Sequence, residues 1–115
     1  MMSKQERMAF VPKLRFPEFL DTGEWLKTSL GGVSTITSGG TPRRTRKDFW
    51  NGTIPWITTS LIDFDTIYSA NEYISEAGLK GSSAKIFPAK TILMAMYGQG
   101  KTRGKVAVLG IEATT

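Results

Sequence analysis

The chain has 115 residues, which is enough for one domain of ordinary size and not for two. Its composition is globular, its formal net charge is +5, and it has no cysteine or histidine, which excludes disulfides, thiolate metal sites and histidine-based acid–base catalysis. No apolar run approaches the roughly 20 residues that cross a bilayer, and the polar N-terminus has no secretory signal, so we expect a cytoplasmic protein without a membrane partner.

An extended N-terminal arm is predicted for residues 1–23, and a separate domain for residues 24–115. Two prolines in the arm, Pro12 and Pro17, each favour an extended or polyproline conformation for the residue before them. The arm therefore has the composition of a segment that lies along a surface rather than that of a regular helix.

Short strands and single helical turns are predicted after the arm. Strands are favoured by β-branched, alternating or continuous apolar residues, and the helical turns by serines that can cap them. The predicted strands are residues 33–37, 54–62, 64–68, 91–97 and 105–111, and the predicted helical turns are 75–79 and 82–85, with a helix or strand at 25–30 that ends at Gly31-Gly32. Pro55 confines its strand to a sheet edge or a strand start, and residues 91–97 are predicted as the best buried strand.

A basic loop at residues 38–56, hereafter the basic loop, combines turn residues, cations and indoles. The turn residues are Gly39, Gly40 and Pro42, the cations are Arg43, Arg44, Arg46 and Lys47, and the indoles are Trp50 and Trp56 on either side of Asn51-Gly52. We interpret Trp56 as a core anchor and the glycines and proline as turn formers. The clustered cations predict contact with a polyanion.

A second loop, the glycine loop at residues 98–104, joins the last two predicted strands as a hairpin. A phosphate-binding P-loop has four residues between its glycines, whereas Gly98 and Gly104 enclose five, and no helix N-terminus follows. We therefore interpret Gly98 as a turn residue. The predicted DNA contacts from both loops are Thr41, Arg43, Arg44, Arg46, Lys47, Gln99, Lys101, Thr102 and Arg103.

Charge is arranged in three blocks along the chain. Residues 1–47 carry a net +5, residues 48–79 a net −5 and residues 80–115 a net +5. Segregation of this kind predicts one basic face, typical of nucleic-acid binding, and a separate acidic face. The alternative is a solvated surface with unevenly distributed charge.

No catalytic set is visible in the sequence. No acidic residue precedes a lysine by two positions, a Ser–His pair is impossible without histidine, and the Asn/Asp-Pro-Pro-aromatic signature of amino-group DNA methyltransferases is absent. We expect no metal or cofactor site in this chain, and we expect any chemistry to belong to a partner.

Several short motifs, taken in order and spacing, identify a family. They are Pro12-Lys13-Leu14-Arg15-Phe16-Pro17, Trp25, Ser38-Gly39-Gly40-Thr41-Pro42, Gly52-x-Ile54-Pro55-Trp56-Ile57, Gly78-Leu79, Ser82-Ser83-Ala84-Lys85, Pro88 and the segment 98–108. Together they resemble the N-terminal target recognition domain of the specificity (S) subunit of type I restriction–modification enzymes. The resemblance covers almost the whole chain from about Pro12 onward.

The resemblance implies a non-catalytic DNA-recognition subunit. Its fold would be mixed α/β (α+β), with a twisted, largely antiparallel sheet and short helices. Each recognition domain of the family reads one half of a bipartite DNA site. Methyltransferase subunits, which use S-adenosylmethionine, dock on helices of the specificity subunit, and restriction subunits use ATP and Mg²⁺, so the cofactors belong to partners.

The resemblance also implies that the recognition domain is incomplete at its C-terminus and lacks the docking helices. The strands at 91–97 and 105–111 are then expected to lack partners on one side. One alternative is a truncated remnant or interaction decoy that binds restriction–modification subunits without reading DNA. Another is a small nucleotide-dependent enzyme, which the glycine spacing disfavours.

Overall fold

The computed structural model describes residues 11–115, which fall into two compact units, one through Thr37 and one from Ser38. The first ten residues of the predicted arm lie outside the described residues. The predicted boundary between residues 23 and 24 stays a prediction.

The first unit contains a 3-10 turn and one short helix. The turn, Pro17–Phe19, begins with a proline, and the Arg15 guanidinium donates to the carbonyls of Thr22 and Gly23 beyond it, at 2.7 and 3.1 Å. The helix, α1, spans Leu30–Val33.

Helix α1 and the residues after it differ from the prediction. The Ser29 hydroxyl accepts a hydrogen bond from the Gly32 N–H at 3.2 Å and so caps the helix N-terminus. Residues 34–37 form neither strand nor helix, so the strand prediction for residues 33–37 is wrong, and Gly31-Gly32 lie inside the helix rather than ending an element. A capping serine here outweighs the low helix propensity of glycine.

Five strands and one short helix form the second unit. They are β1 Trp50–Trp56, β2 Thr66–Ile67, β3 Glu72–Ile74, α2 Glu76–Lys80, β4 Ile92–Met94 and β5 Val106–Leu109, with single 3-10 turns at Lys47–Phe49 and Thr59–Leu61. The predicted mixed α+β fold with short helices is confirmed.

The strands form two small sheets. Antiparallel β1 and β3 make the first, with Ile54 opposite Ile74 and Trp56 opposite Glu72. In the second sheet β5 lies between β2, which is parallel to it, and β4, which is antiparallel. The expectation that residues 105–111 lack a partner on one side is wrong, because β5 is the central strand.

Strand β1 begins at Trp50, four residues earlier than predicted. A β-bulge interrupts its pairing with β3. Trp50 and Ile54 both pair with Ile74, so the three residues between them bulge out of the ladder. Asn51 adopts a φ of 58°, and a Cβ on Gly52 would lie 2.3 Å from the Ile74 carbonyl oxygen. The Asn-Gly pair therefore makes a bulge within a strand rather than the end of a turn.

Two serines have different local roles. The Ser75 hydroxyl accepts from the Gly78 N–H at 3.1 Å and caps α2, as predicted. The Ser82 hydroxyl instead donates to the Gly78 carbonyl and accepts from the Ala84 N–H, which makes a turn, so the helical prediction for 82–85 is wrong.

Strand β4 is half-buried rather than fully buried. Leu93 and Ala95 face the core, whereas Ile92 and Met96 are exposed, so the side chains of 91–97 alternate between two environments. The continuous apolar run in the sequence concealed this alternation, because both faces carry apolar residues.

Residues 113–115 pair with β1 on one side and with Phe87 on the other. The Thr114 N–H donates to the Pro55 carbonyl at 2.9 Å, and the Ile57 N–H donates to the Thr114 carbonyl at 2.8 Å. Ala113 pairs with Phe87 on the other side. Two apolar clusters flank this segment: Ile57, Ile62, Ile67, Leu93, Ala95, Ala107, Leu109 and Ala113 in one, and Ile54, Trp56, Ile74 and Ala84 in the other.

Candidate nucleic-acid interface

The start of the basic loop is fixed to the core through Trp56 and Gly40. The Trp56 side chain is 8% exposed, and its Nε1 donates to the Gly40 carbonyl at 3.1 Å. The Gly40 N–H donates to the Thr115 carbonyl at 2.8 Å, and a Cβ on Gly39 would lie 1.7 Å from that same oxygen. Pro42 is fully buried. The two glycines thus permit a close backbone approach that a side chain would block.

The two tryptophans form a platform under the loop. Trp50 and Trp56 meet edge to face, with ring centroids 5.2 Å apart and an interplanar angle of 87°. Trp50 Nε1 donates to the Arg43 carbonyl at 3.3 Å, which fixes the loop backbone above the platform. The Arg44 guanidinium lies over the Trp50 ring, 3.9 Å from its centroid.

Arg44 is held on this platform by a carboxylate from the neighbouring strand. Its Nη1 and Nη2 donate to Oε1 and Oε2 of Glu72, the residue opposite Trp56 in the β1–β3 ladder. The hydrogen bond from Arg44 holds the pKa of the Glu72 carboxyl below its usual value, and the same bond raises the pKa of Arg44. The Arg44 guanidinium therefore already has a carboxylate partner within the chain.

Arg46 is also paired. Its Nε and Nη2 donate to the two carboxylate oxygens of Asp48 at 2.9 and 2.8 Å, and its guanidinium lies 4.4 Å from the centre of the Phe49 ring. The hydrogen bonds from Arg46 lower the pKa of Asp48. Phe49 is buried, so this second stacked arginine is fixed to the core as well.

The other two cations of the basic loop differ from Arg44 and Arg46. Within residues 11–115, the side chains of Arg43 and Lys47 have no hydrogen-bond or ion-pair partner, and both are exposed. Thr41 is exposed as well. Two of the four clustered cations are thus neutralised inside the chain and two remain free.

The charge blocks of the sequence meet in the fold. Lys105 Nζ lies 2.7 Å from Asp63 Oδ1. Like the Arg44–Glu72 and Arg46–Asp48 pairs, this pair joins an acid of residues 48–79 to a cation of a basic block. All three ion pairs seen among the described residues have this form. The expected separation of an acidic face from a basic face is therefore wrong for these three acids.

The glycine loop is held by its backbone. Gly98, Gly100 and Gly104 have φ values of 89°, 74° and 90°, a region that glycine adopts readily. The Gly98 carbonyl accepts from the N–H groups of Thr102 and Arg103, at 3.2 and 3.0 Å. The four predicted contact residues of the loop are exposed or half-buried: Gln99, Lys101, Thr102 and Arg103.

The predicted contact residues fall into two separate groups. The glycine loop precedes β5, whereas Gly40 binds Thr115, which follows β5 in the chain. In the part of the chain that the structure describes, no hydrogen bond, ion pair or ring contact joins one loop to the other. The structure therefore groups Thr41 with the basic-loop cations and Gln99 with the glycine-loop cations.

A cleft beside Arg44 contains residues that the sequence analysis did not select. It has a volume of about 320 Å3, and its lining residues are Arg44, Trp50, Asn51, Gly52, Asn71, Glu72 and Tyr73. Glu72 is 28 positions from Arg44, so no local pattern could pair them. Asn51-Gly52 did carry a signal, since it marks a positive φ, but only the pairing with Ile74 shows that the signal is a bulge.

Residues 11–115 contain neither a candidate metal-binding cluster nor a membrane-spanning helix. No group of three or more acidic side chains is placed to hold a metal ion. Helices in this range are too short to span a bilayer.

Comparisons with known proteins confirm the resemblance seen in the motifs. A family described as "Type I restriction modification DNA specificity domain" matches residues 22–115. The chain is similar to the Escherichia coli type I restriction enzyme EcoR124I/EcoR124II specificity subunit, with 37% identity over 70 residues, which cover 60% of this chain and 17% of that subunit.

Two other specificity subunits give similar matches. The MjaIX subunit of Methanocaldococcus jannaschii is 33% identical over 97 residues, which cover 76% of this chain and 22% of the subunit. The EcoprrI subunit of Escherichia coli is 38% identical over 74 residues, which cover 62% of this chain and 18% of the subunit. The matched regions thus span about a fifth of the length of these relatives.

Proposed function

The chain belongs to the type I restriction–modification DNA specificity family, and from that premise we propose that it reads one half of a bipartite DNA site. The observation that carries the proposal is the set of unpaired cations on two anchored loops. Arg43 and Lys47 on the basic loop, and Lys101 and Arg103 on the glycine loop, have no ion-pair partner within residues 11–115. Exposed cations on rigid loops suit DNA phosphates.

We divide the predicted contact residues between DNA and the scaffold. The free cations would contact phosphates, while the neutral side chains of Thr41, Gln99 and Thr102 can hydrogen-bond to phosphates or base edges. Arg44 and Arg46 support the loop, because their guanidinium groups are engaged by carboxylates and stacked on rings. Their predicted DNA contacts would require these pairs to open.

Catalysis would belong to partner subunits in the cytoplasm. The three relatives are named as specificity subunits of type I restriction enzymes, so we propose methyltransferase and restriction subunits as partners. S-adenosylmethionine, ATP and Mg²⁺ would act on those subunits, with no cofactor in this chain. Helices α1 and α2 have only four and five residues, so residues 11–115 supply no long docking helix.

The test is the salt dependence of DNA affinity for the full chain and its variants. Fluorescence anisotropy with a labelled random-sequence duplex would give the slope of log affinity against log salt. Arg43→Ala, Lys47→Ala, Lys101→Ala and Arg103→Ala are each expected to reduce the slope by about 0.9. Lys80→Ala is the matched control, since Lys80 is exposed on α2, outside both loops.

Two outcomes would contradict the proposal. One is wild-type affinity for DNA that does not change with salt. The other is a slope that falls as much for Lys80→Ala as for the four loop variants, because the loops would then have no special role.

A second candidate function is an interaction decoy that binds restriction–modification subunits without reading DNA. The observation that favours it is an apolar outer surface on the second sheet. Ile92 and Val108 lie opposite each other in the β4–β5 ladder and are 71% and 38% exposed, and Met94 is exposed beside them. Co-migration with a methyltransferase subunit in size-exclusion chromatography, without any DNA shift, would support the decoy over DNA reading.

A further inference from the structure

We infer that the cleft beside Arg44 is a base-reading subsite, in which Asn51 and Asn71 determine sequence specificity. The inference rests on the proposed DNA-binding function and names residues that were not selected from the sequence. Three observations carry it: the bulge that presents Asn51, the free polar groups of the cleft, and the position of the unpaired cations.

The bulge in β1 places Asn51 at an exposed position. Because Trp50 and Ile54 share Ile74 as their pairing partner, Asn51 lies outside the regular ladder. Position 52 requires glycine in this bulge, since a Cβ on Gly52 would lie 2.3 Å from the Ile74 carbonyl oxygen. Bulges commonly re-aim a side chain beside a functional site. An exposed amide on such a bulge is accessible to a base edge.

The polar groups of the cleft divide into engaged and free ones. Arg44 and Glu72 bind each other, and the Trp50 indole N–H is bound to the Arg43 carbonyl. By contrast, within residues 11–115 the amides of Asn51 and Asn71 make no hydrogen bond, and both residues are exposed. The free hydrogen-bonding capacity of the cleft is therefore concentrated in two amides and the Tyr73 hydroxyl.

Amides are suited to one base in particular. An asparagine amide carries a donor and an acceptor side by side, and this pair matches the N6 amino group and N7 of adenine in the major groove. Arginine and lysine instead favour guanine. The chemistry of the cleft thus points to an A·T base pair as its ligand.

Two unpaired cations, Arg43 and Lys47, precede the cleft residues Trp50 and Asn51 in the chain. The Arg43 backbone is bound to Trp50, which lines the cleft, and Lys47 begins the 3-10 turn that leads into β1. Phosphate contacts fix the register of a protein on DNA, and base contacts then supply specificity. The arrangement gives Arg43 and Lys47 the first role and Asn51 and Asn71 the second.

The test is selection of bound sequences from a duplex library with a randomised central segment, using the full chain. Asn51→Gly removes the amide and keeps a residue that tolerates the positive φ, and Asn71→Ala removes the second amide. Both variants are expected to lose about tenfold or more of the wild-type preference at one or two adjacent positions where adenine or thymine is selected. Their salt slopes should equal that of the wild type.

Two further variants sharpen the result. Asn51→Asp keeps the shape of the side chain and replaces its donor with an acceptor, so it should also lose the preference for adenine. Ser60→Ala, which removes an exposed hydroxyl outside the cleft, should select the same sequences as the wild type. Thermal melting would verify that each variant is folded.

The outcomes separate the two proposals. Wild-type preferences in folded Asn51→Gly and Asn71→Ala, with intact DNA binding, would overturn the subsite and leave the DNA-binding function standing. Salt-dependent binding with no sequence preference in the wild type would also overturn the subsite. Absence of any DNA binding by the wild type would overturn the proposed function, and the subsite with it.

Discussion

The basic loop and the glycine loop both carry clustered cations, four in the first and two in the second, but they are stabilised by different means. In the basic loop, side chains add to the backbone hydrogen bonds: two indoles, a stacked Arg44 and its partner Glu72. Backbone hydrogen bonds and three positive-φ glycines hold the glycine loop. A loop anchored by side chains uses some of its charge for its own structure, whereas a loop anchored by its backbone leaves its cations free.

This difference changes how the sequence is interpreted. The basic loop has four cations in five positions and the glycine loop has two, yet ion pairs with Asp48 and Glu72 neutralise half of the four. Both loops then present two unpaired cations each within residues 11–115. The two loops should therefore contribute about equally to the salt dependence of DNA binding, and they should respond to different mutations.

The largest expected loss of stability follows from removing Trp56, which anchors the basic loop to the core. Trp56→Ala should lower the free energy of unfolding by about 3–5 kcal/mol, because it removes a buried indole, its hydrogen bond to Gly40 and the support of Trp50. Urea denaturation would measure this. Trp25→Ala is the control: Trp25 is 68% exposed, and a change of at most about 0.5 kcal/mol is expected. Equal losses would show that burial does not distinguish the two indoles.

The glycine loop should instead be sensitive to an added methyl group. Gly98→Ala combines a φ of 89° with a Cβ that would lie 2.6 Å from Thr102 Cβ, so a loss of about 2 kcal/mol or more is expected. Gly100→Ala has a φ of 74° with open space around it, so only the backbone cost of about 1–2 kcal/mol applies. Thermal denaturation of both variants would show which one loses more stability. A larger loss for Gly100→Ala would contradict the packing argument.

Local features of the fold could be predicted from the sequence, and features that depend on distant pairing could not. The β4–β5 hairpin and the Ser75 cap of α2 each depend on neighbouring residues, and both were predicted. Strand β3 has three residues and too little pattern to be recognised. Because β3 was missed, Glu72 was missed as the partner of Arg44, and with it the neutralisation of the basic loop.

The candidate site shows the same limit. The cations and turn glycines of both loops were selected because their residue types are locally distinctive. Asn71 is not distinctive in the sequence, since its proximity to Asn51 comes only from the pairing of β1 with β3. Residues that a sheet brings together from distant segments leave no mark in a single sequence.

A smaller effect should separate the two adjacent arginines of the basic loop. Arg44→Ala is expected to lower stability by about 1 kcal/mol, from a lost stacking contact and an exposed ion pair, and to leave the salt slope of DNA binding unchanged. Arg43→Ala should instead reduce the salt slope and leave stability unchanged. Anisotropy titrations would measure the salt slopes of both variants, and urea denaturation would measure their stabilities. A reduced salt slope for Arg44→Ala would show that DNA opens the Glu72 pair.

The smallest expected effect is a pH dependence of stability that comes from the Arg44–Glu72 pair. The hydrogen bond from Arg44 lowers the pKa of Glu72 in the folded chain, so its stabilising contribution is fully present above the unfolded value of about 4.3. It is lost as the pH falls through the lower, folded pKa. The difference in Tm between the wild type and Glu72→Gln should therefore be constant near neutral pH and shrink below about pH 4.

Removing the other partner provides the control for this pH effect. Arg44→Gln should show the same pH dependence as Glu72→Gln, because both changes remove the same ion pair, together with a pH-independent loss from the missing contact with Trp50. Adding Glu72→Gln to Arg44→Gln should change little further. Residues 98–104 contain no carboxylate, so the glycine loop has no equivalent pair to lose. Acid should thus release Arg44 and make the basic loop more like the glycine loop, whose cations are already free. A Tm difference that stays constant down to pH 3 would contradict the pairing of Arg44 with Glu72.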